Sequence, residues 1–537
     1  MPGRIDTPGW VRDAVFYQIF PDRFAASSRV RKPGRLEPWD SPPTFHGFKG
    51  GDLLGIAEHL PELVELGVSA LYLTPIFSSA SNHRYHAYDY MAVDPLLGGD
   101  AALRELLDTG HAHGVRVILD GVFNHSGRGF WPFHHVLENS AASPYRDWFL
   151  LDPEVAGGQR SLNAYPDRAA AADDEPRLGY SAWWGHPALP KLNVRNPEVR
   201  EYLLGVAEHW LRFGIDGWRL DVPTEIEDPT FWPEFRRRCR AIDPQAYLVG
   251  EIWHEAPDWL TGDRFDALMN YPLAAAIMGF AGGEGLDVGL IARHDTYSRT
   301  VRRLDGAEFG ARLEQLMRAY APEVAAVQLN LISSHDAPRA LSVMGADRQS
   351  LRLAALLQFC VPGAPCIYYG DEIGMEGGLD PDCRRAYPTG LHPGDQALRR
   401  FFTALAGARH AHPALRDGSL AVAATVRQAI AILREAGGSG DGGGEGIGAR
   451  EGAVGESAGG EDAQRGSTGK RRPERALVVV NAGMHAETLD VDLPWSPGDM
   501  TSVPLPDLPP VAVVIPDGEG RHVRLELPRQ TGAIFVV

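Results

Sequence analysis

Eight short apolar runs, rich in β-branched and aromatic residues, alternate with stretches of helical periodicity along this chain. The runs fall at 14–20, 70–75, 115–120, 217–221, 246–251, 265–270, 328–336 and 365–372. Amphipathic patterns at 53–66, 101–113, 232–241, 348–359 and 396–411 lie between or after them. Strand and helix alternating over roughly 400 of the 537 residues predict a parallel (β/α)8 (TIM) barrel, an α/β fold. The rhythm pauses at 126–196, a Trp-, Pro- and His-rich stretch without a period, which predicts an irregular excursion after the third strand. The barrel is therefore expected over 1–125 and 197–418. From 419 to 537 the runs are β-like throughout, as at 420–426, 429–433, 476–481 and 532–537, which predicts a small all-β domain. A Gly-, Glu- and Ser-rich tract at 436–475 interrupts that domain and has too few apolar residues to order itself.

Composition narrows the function classes. A net charge of −18 argues against nucleic acid or an anionic membrane as partner and suits a neutral substrate. No run is long enough to span a bilayer, and the first ten residues lack the apolar core of a signal peptide. A cytoplasmic enzyme is expected. Its four cysteines, Cys239, Cys360, Cys366 and Cys383, are spaced neither as a disulfide framework nor as a zinc site.

In a parallel barrel the C-terminal strand ends carry the chemistry, and here Asp120, Asp221, Glu251 and Asp336 each close a run. Four strands ending in a carboxylate are hard to explain by packing. Gly214-Ile-Asp-Gly-Trp-Arg-Leu-Asp-Val-Pro-Thr-Glu225 adds Arg219 two residues before Asp221, on the same side of a strand. A buried pair of this kind is either a compensated structural ion pair or a carboxylate kept ionised to act as a nucleophile. Two carboxylates flanking a glycosidic bond hydrolyse it: one attacks the anomeric carbon while the other protonates the leaving oxygen. Asp221 suits the first role, and Glu251, after an apolar strand and before Ile252 and Trp253, suits the second. Asp336 is placed to hold sugar hydroxyls and favour a cationic transition state. Asp120 either orients Arg219 or is structural. His125 and His335, each close to a strand-end carboxylate, are candidate donors to sugar hydroxyls.

Asp120-Gly-Val-Phe-Asn-His125, Gly217-Trp-Arg-Leu-Asp221, Gly250-Glu-Ile-Trp253 and Ser334-His-Asp336, in that order, resemble the motifs of the α-amylase family of glycoside hydrolases. Gly47-Phe-Lys-Gly-Gly-Asp52 and Gly363-Ala-Pro-Cys-Ile-Tyr-Tyr-Gly-Asp-Glu372 extend the resemblance. It implies Asp221 as nucleophile, Glu251 as acid/base and Asp336 as transition-state stabiliser. It also implies Arg219, His125 and His335 as sugar contacts, Tyr88 as a stacking ring with His86 beside it, and an α-glucan as partner. The excursion becomes the family's domain B and the tail its β-sandwich. Leu189-Pro-Lys-Leu-Asn193, Val222-Pro-Thr-Glu225 and Trp253-His254 resemble the neopullulanase, cyclomaltodextrinase and maltogenic amylase group, which acts on cyclodextrins, pullulan and short maltooligosaccharides. The barrel begins at about residue 14, without room before it for the N-terminal domain through which that group commonly dimerises, so monomer and dimer both stay open. No cofactor is implied. Asn124 resembles a calcium ligand of other members, but 24–28 lacks the Asn/Asp cluster that binds calcium in relatives. A glucanotransferase or trehalose synthase would use the same scaffold, with Trp253 and Glu225 as the acceptor-side positions to watch; a non-catalytic relative should lack one of the three carboxylates.

Overall fold

The computed structural model describes residues 5–162, 178–436, 473–515 and 520–537. Eight parallel strands form one sheet: β1 Phe16–Ile19, β2 Ala70–Leu73, β3 Arg116–Gly121, β4 Gly217–Leu220, β5 Tyr247–Gly250, β6 Ala267–Leu268, β7 Leu329–Leu331 and β8 Ala364–Tyr368. Each strand pairs with its sequence neighbour, as in Phe16↔Ala70, Ala70↔Arg116, Ile118↔Gly217 and Gly217↔Tyr247, and β8 returns to β1 through Phe16↔Cys366. A bridge from Met269 to Leu329 closes the ring between β6 and β7. The strands are buried on both faces, which is why they read as continuous apolar runs. Gly217 is fixed by close approach: a Cβ there would lie 2.2 Å from the Tyr247 carbonyl oxygen. The interior is filled by Phe16, Tyr72, Ile118, Tyr247, Val249 and Leu329, among others. Trp10 plugs its N-terminal end against Phe16 and Tyr247. That leaves the opposite, C-terminal mouth for the polar groups.

Between β3 and β4 the chain makes the irregular excursion that its composition predicts. A helix at Trp131–Asn139 and isolated bridges (His125↔Lys191, Phe149↔Leu192, Ala182↔Pro190) give it shape. A two-stranded ribbon, Phe77–Ser79 with Ala87–Val93, rises beside it. Beyond the barrel lie two antiparallel sheets. One holds β9 Gly418–Val426, β10 Ala429–Ala436, β11 Arg475–Asn481, β13 Thr501–Ser502 and β16 Thr531–Val536. The other holds β12 Glu487–Asp492, β14 Ala512–Val514 and β15 His522–Leu527. Leu477, Val479, Leu489, Val491, Leu525 and Phe535 meet between them. Strands β10 and β11 pair from Ala429↔Asn481 to Glu435↔Arg475, so the Gly-rich tract joins two hairpin strands. The tract expected to lack order over 436–475 is corrected at its ends, where Ala436 and Arg475 belong to β10 and β11 through backbone pairing, and residues 437–472 lie outside the described residues.

Three elements differ from their sequence patterns. The helix expected at 53–66 is two, Leu53–Glu58 and Leu60–Leu66, because Pro61 near the start of the second supplies no N–H to continue the first. Helix Tyr271–Gly282 is buried all round and so has no polar face to mark its period. Strand β7 stops at Leu331, so Asp336 lies in the loop beyond it rather than at its end.

Candidate active site

Arg219 on β4 is fully buried and organises the C-terminal mouth. Its Nη1 donates to both oxygens of Asp120 on β3, at 2.8 and 3.0 Å, and to Asp221 Oδ1 at 3.0 Å. Its Nη2 lies 2.8 Å from Glu251 Oε1, just past β5, and 4.0 Å from Asp336 Oδ2. One guanidinium thus joins all four predicted carboxylates. Asp120 also accepts hydrogen bonds from Tyr72 at 2.8 Å and Tyr85 at 2.9 Å, so it anchors the arginine and faces no solvent. Asp336 is the open member: its side chain is 29% exposed against 8% for Asp221 and 5% for Glu251.

The electrostatics follow from this sharing. Burial pushes the carboxyls of both Asp221 and Glu251 up, against the pull of Arg219. Arg219 favours the ionised form of Asp221, as expected of a neighbouring guanidinium, but its single charge is shared with Asp120 and Glu251. Asp336 differs. Burial raises it, but His335 at 3.0 Å and Arg384 at 3.1 Å outweigh burial and hold it below the usual carboxylate range. The Gln18 amide nitrogen lies 2.8 Å from His335 Nδ1, and His335 Nε2 faces Asp336 and Tyr85.

Backbone geometry completes the pair. Val222, next to Asp221, has φ +33° and ψ 53°, a left-handed conformation rare for a β-branched residue. It turns the Val222 N–H onto Glu251 Oε2 at 3.1 Å. Trp253 donates from Nε1 to Glu251 Oε1 at 3.2 Å, and its ring lies flat on Tyr271 with centroids 3.6 Å apart. Trp253 thus touches the acid/base candidate itself. Glu225 sits further out and pairs with Lys191 of the excursion at 3.0 Å.

The structure does not place Tyr88 in the cluster. Its ring covers Gly127 and Gly129, at the start of the excursion. Tyr85 takes the position expected of Tyr88: it stacks on His335 at 5.5 Å with 2° between the planes and bonds to Asp120. His86 lines a cleft beside the carboxylates with His46, His83, Asp380 and Arg384. His125 is buried against Trp183 at 5.3 Å; burial pulls its pKa down to about 3, so the ring is neutral. Tyr85, Arg384 and Trp183 escape the sequence reading because each lies in a loop or irregular turn where no period marks it. At Asn124, the calcium candidate, the side-chain nitrogen lies 3.2 Å from His125 Nδ1 and the carbonyl accepts from Leu192. No group of three or more His, Cys, Asp or Glu among the described residues is arranged to hold a metal ion.

A family model described as alpha amylase, catalytic domain, matches residues 18–400. A cyclomaltodextrinase of Geobacillus thermopakistaniensis is 44% identical over 416 residues, which cover 77% of this chain and 65% of that protein. Neopullulanase 2 of Thermoactinomyces vulgaris is 41% identical over 417 residues, with the same coverage. The chain thus spans 65% of the length of these two relatives. The solved structure of a debranching enzyme from Nostoc punctiforme superposes with a TM-score of 0.81 at 40% identity and covers 100% of both chains.

Proposed function

The chain belongs to the alpha-amylase family, and from that premise we propose that it is a retaining glycosidase of α-glucans, cleaving α-1,4 bonds and also α-1,6 bonds. One observation carries the reading: Asp221 and Glu251, each just past a strand end, and Asp336, from the loop after β7, converge on Arg219. Two buried carboxylates this close release their protons in two separate steps, so between those steps one is ionised and the other protonated. Asp221 attacks the anomeric carbon while Glu251 passes its proton to the departing glycosidic oxygen. The glycosyl–Asp221 ester then forms, and Glu251, now a carboxylate steadied by the Val222 N–H and Trp253, takes a proton from the incoming water. Asp336, nearest the solvent, holds sugar hydroxyls and favours the positive charge that develops on the ring.

Cyclodextrins, pullulan and short maltooligosaccharides are the substrates we propose first, after the cyclomaltodextrinase and neopullulanase relatives. The debranching relative of matching length supports α-1,6 cleavage. A transglycosidase remains the second reading, since the ester is common to both; Glu225, which pairs with Lys191, is the acceptor-side position to watch together with Trp253. We also propose that the enzyme is cytoplasmic and needs no cofactor; four buried, unpaired cysteines suit a reducing compartment. The test is to incubate it with β-cyclodextrin, pullulan, starch and maltotriose and follow products over time. Hydrolysis that disappears in Asp221→Asn and Glu251→Gln is the expected result. Products longer than the substrate would move the reading to a transferase, and no product from folded protein would overturn it.

A further inference from the structure

Trp184, in the turn at Trp183–Gly185, is 73% exposed, more than any other aromatic residue among the exposed large hydrophobic residues described. Its conformation is left-handed, with φ +49°, a backbone cost that a mere surface position does not require. The ring lies on Trp183 at 4.9 Å with 10° between the planes, and Trp183 lies in turn on His125 at 5.3 Å with 19°. Three near-parallel rings therefore run from the buried wall of the active site to solvent. The turn is held before any ligand arrives: Trp183 N–H donates to Leu189, His186 N–H to Trp183, Leu189 N–H to His186, and the Tyr180 hydroxyl to Pro187, all at carbonyl oxygens. His125 Nε2 and Trp183 Nε1 are buried and have no hydrogen-bond partner among the described residues. A rigid apolar face with two unused ring nitrogens below it suits a pyranose, which offers a C–H face and hydroxyl edges.

We propose that Trp184, backed by Trp183, is a stacking platform for a glucosyl ring of the α-glucan that lies outside the bond being cleaved. This makes the enzyme favour chains long enough to reach from His125 to the rim. The proposal rests on the glycosidase reading.

The test compares the wild type with Trp184→Ala and Trp184→Phe on maltoheptaose and maltotriose. Trp184→Ala is expected to lower the ratio of kcat/KM values, maltoheptaose over maltotriose, about tenfold, and Trp184→Phe to recover most of it. In a second arm, binding of maltoheptaose is titrated by calorimetry on Glu251→Gln with and without Trp184→Ala, and Kd should rise about tenfold. An unchanged ratio with an unchanged Kd overturns the platform. So does a change in self-association without a change in either, which would make Trp184 a contact between copies. If the wild type cleaves neither sugar, the glycosidase reading fails, and the binding arm still decides the fate of Trp184.

Discussion

Tyr85 reaches the acid cluster because Arg84 before it is left-handed, with φ +59°, and is locked there by Asp94 at 2.7 Å. The ribbon strand begins only at Ala87, so the alternation that governs Tyr88 and Tyr90 does not extend back to Tyr85. The stretch from His83 to Tyr90 holds several rings in eight residues, and its sequence alone does not say which of them turns inward. Tyr85→Phe removes the hydroxyl that links Asp120 to His335 and is expected to lower kcat about tenfold with the fold retained. Tyr88→Phe keeps the ring that packs on Gly127 and Gly129 and should stay near wild type. Steady-state kinetics on both variants check the assignment; equal losses would return Tyr88 to the site.

Two buried arginines, Arg409 and Arg434, join helical and strand elements by donating to carbonyls. Arg409, on helix Pro393–Ala411, donates to the carbonyls of Phe359, Leu415, Gly363 and Arg12. Arg434, on β10, donates to those of Cys360, Leu415, Gly418 and Ser419. Phe359 and Cys360 end helix Arg348–Cys360, where carbonyls lack intrahelical partners and a cation is favoured. Arg434 thus ties the β-domain to the barrel, while Arg409 ties barrel elements to one another. Arg434→Met fills similar volume but leaves buried carbonyls unpaired, so it should cost about 3 kcal/mol or more, read as a lower midpoint in a guanidinium titration. A variant as stable as the wild type would show that the joint holds by apolar packing alone. No sequence pattern marks either arginine, since each reads as an ordinary polar position in its helix or strand.

At the scale of the whole molecule, pH and metal dependence separate the chemistry from the scaffold. The rate needs Asp221 ionised, so kcat/KM rises as pH passes its pKa. It also needs Glu251 protonated, so kcat/KM falls above the pKa of that group. Burial pushes both upward, which moves the bell above the ordinary carboxylate value of about 4.3. A pH profile that already falls below that value would contradict the buried pair. Asp371 makes a different demand on stability. Burial pushes its carboxyl up to about 7 against Arg339 at 3.2 Å, so the folded state binds its proton more tightly than the unfolded chain does. The stability it contributes is full below the unfolded value of about 3.9 and is lost as pH rises toward 7. Asp371→Asn should flatten that decline in Tm against pH. Because the side chain of Asn124 faces His125 and its carbonyl pairs with Leu192, a chelator is expected to leave Tm and activity unchanged. A fall in both would establish a structural cation.

The amino-acid order by itself determined the barrel, the excursion, the β-domain and the acids that meet at one mouth. Buried parallel strands must be apolar throughout, and strand ends open to one side, so both leave marks in local sequence. Only tertiary structure decided that Arg219 divides its charge among Asp120, Asp221 and Glu251, that Asp336 reaches the cluster from a loop, and that Tyr85 rather than Tyr88 faces it. Those outcomes depend on loop dihedrals and on distances between residues far apart in the chain. Neither has a period that a sequence can display.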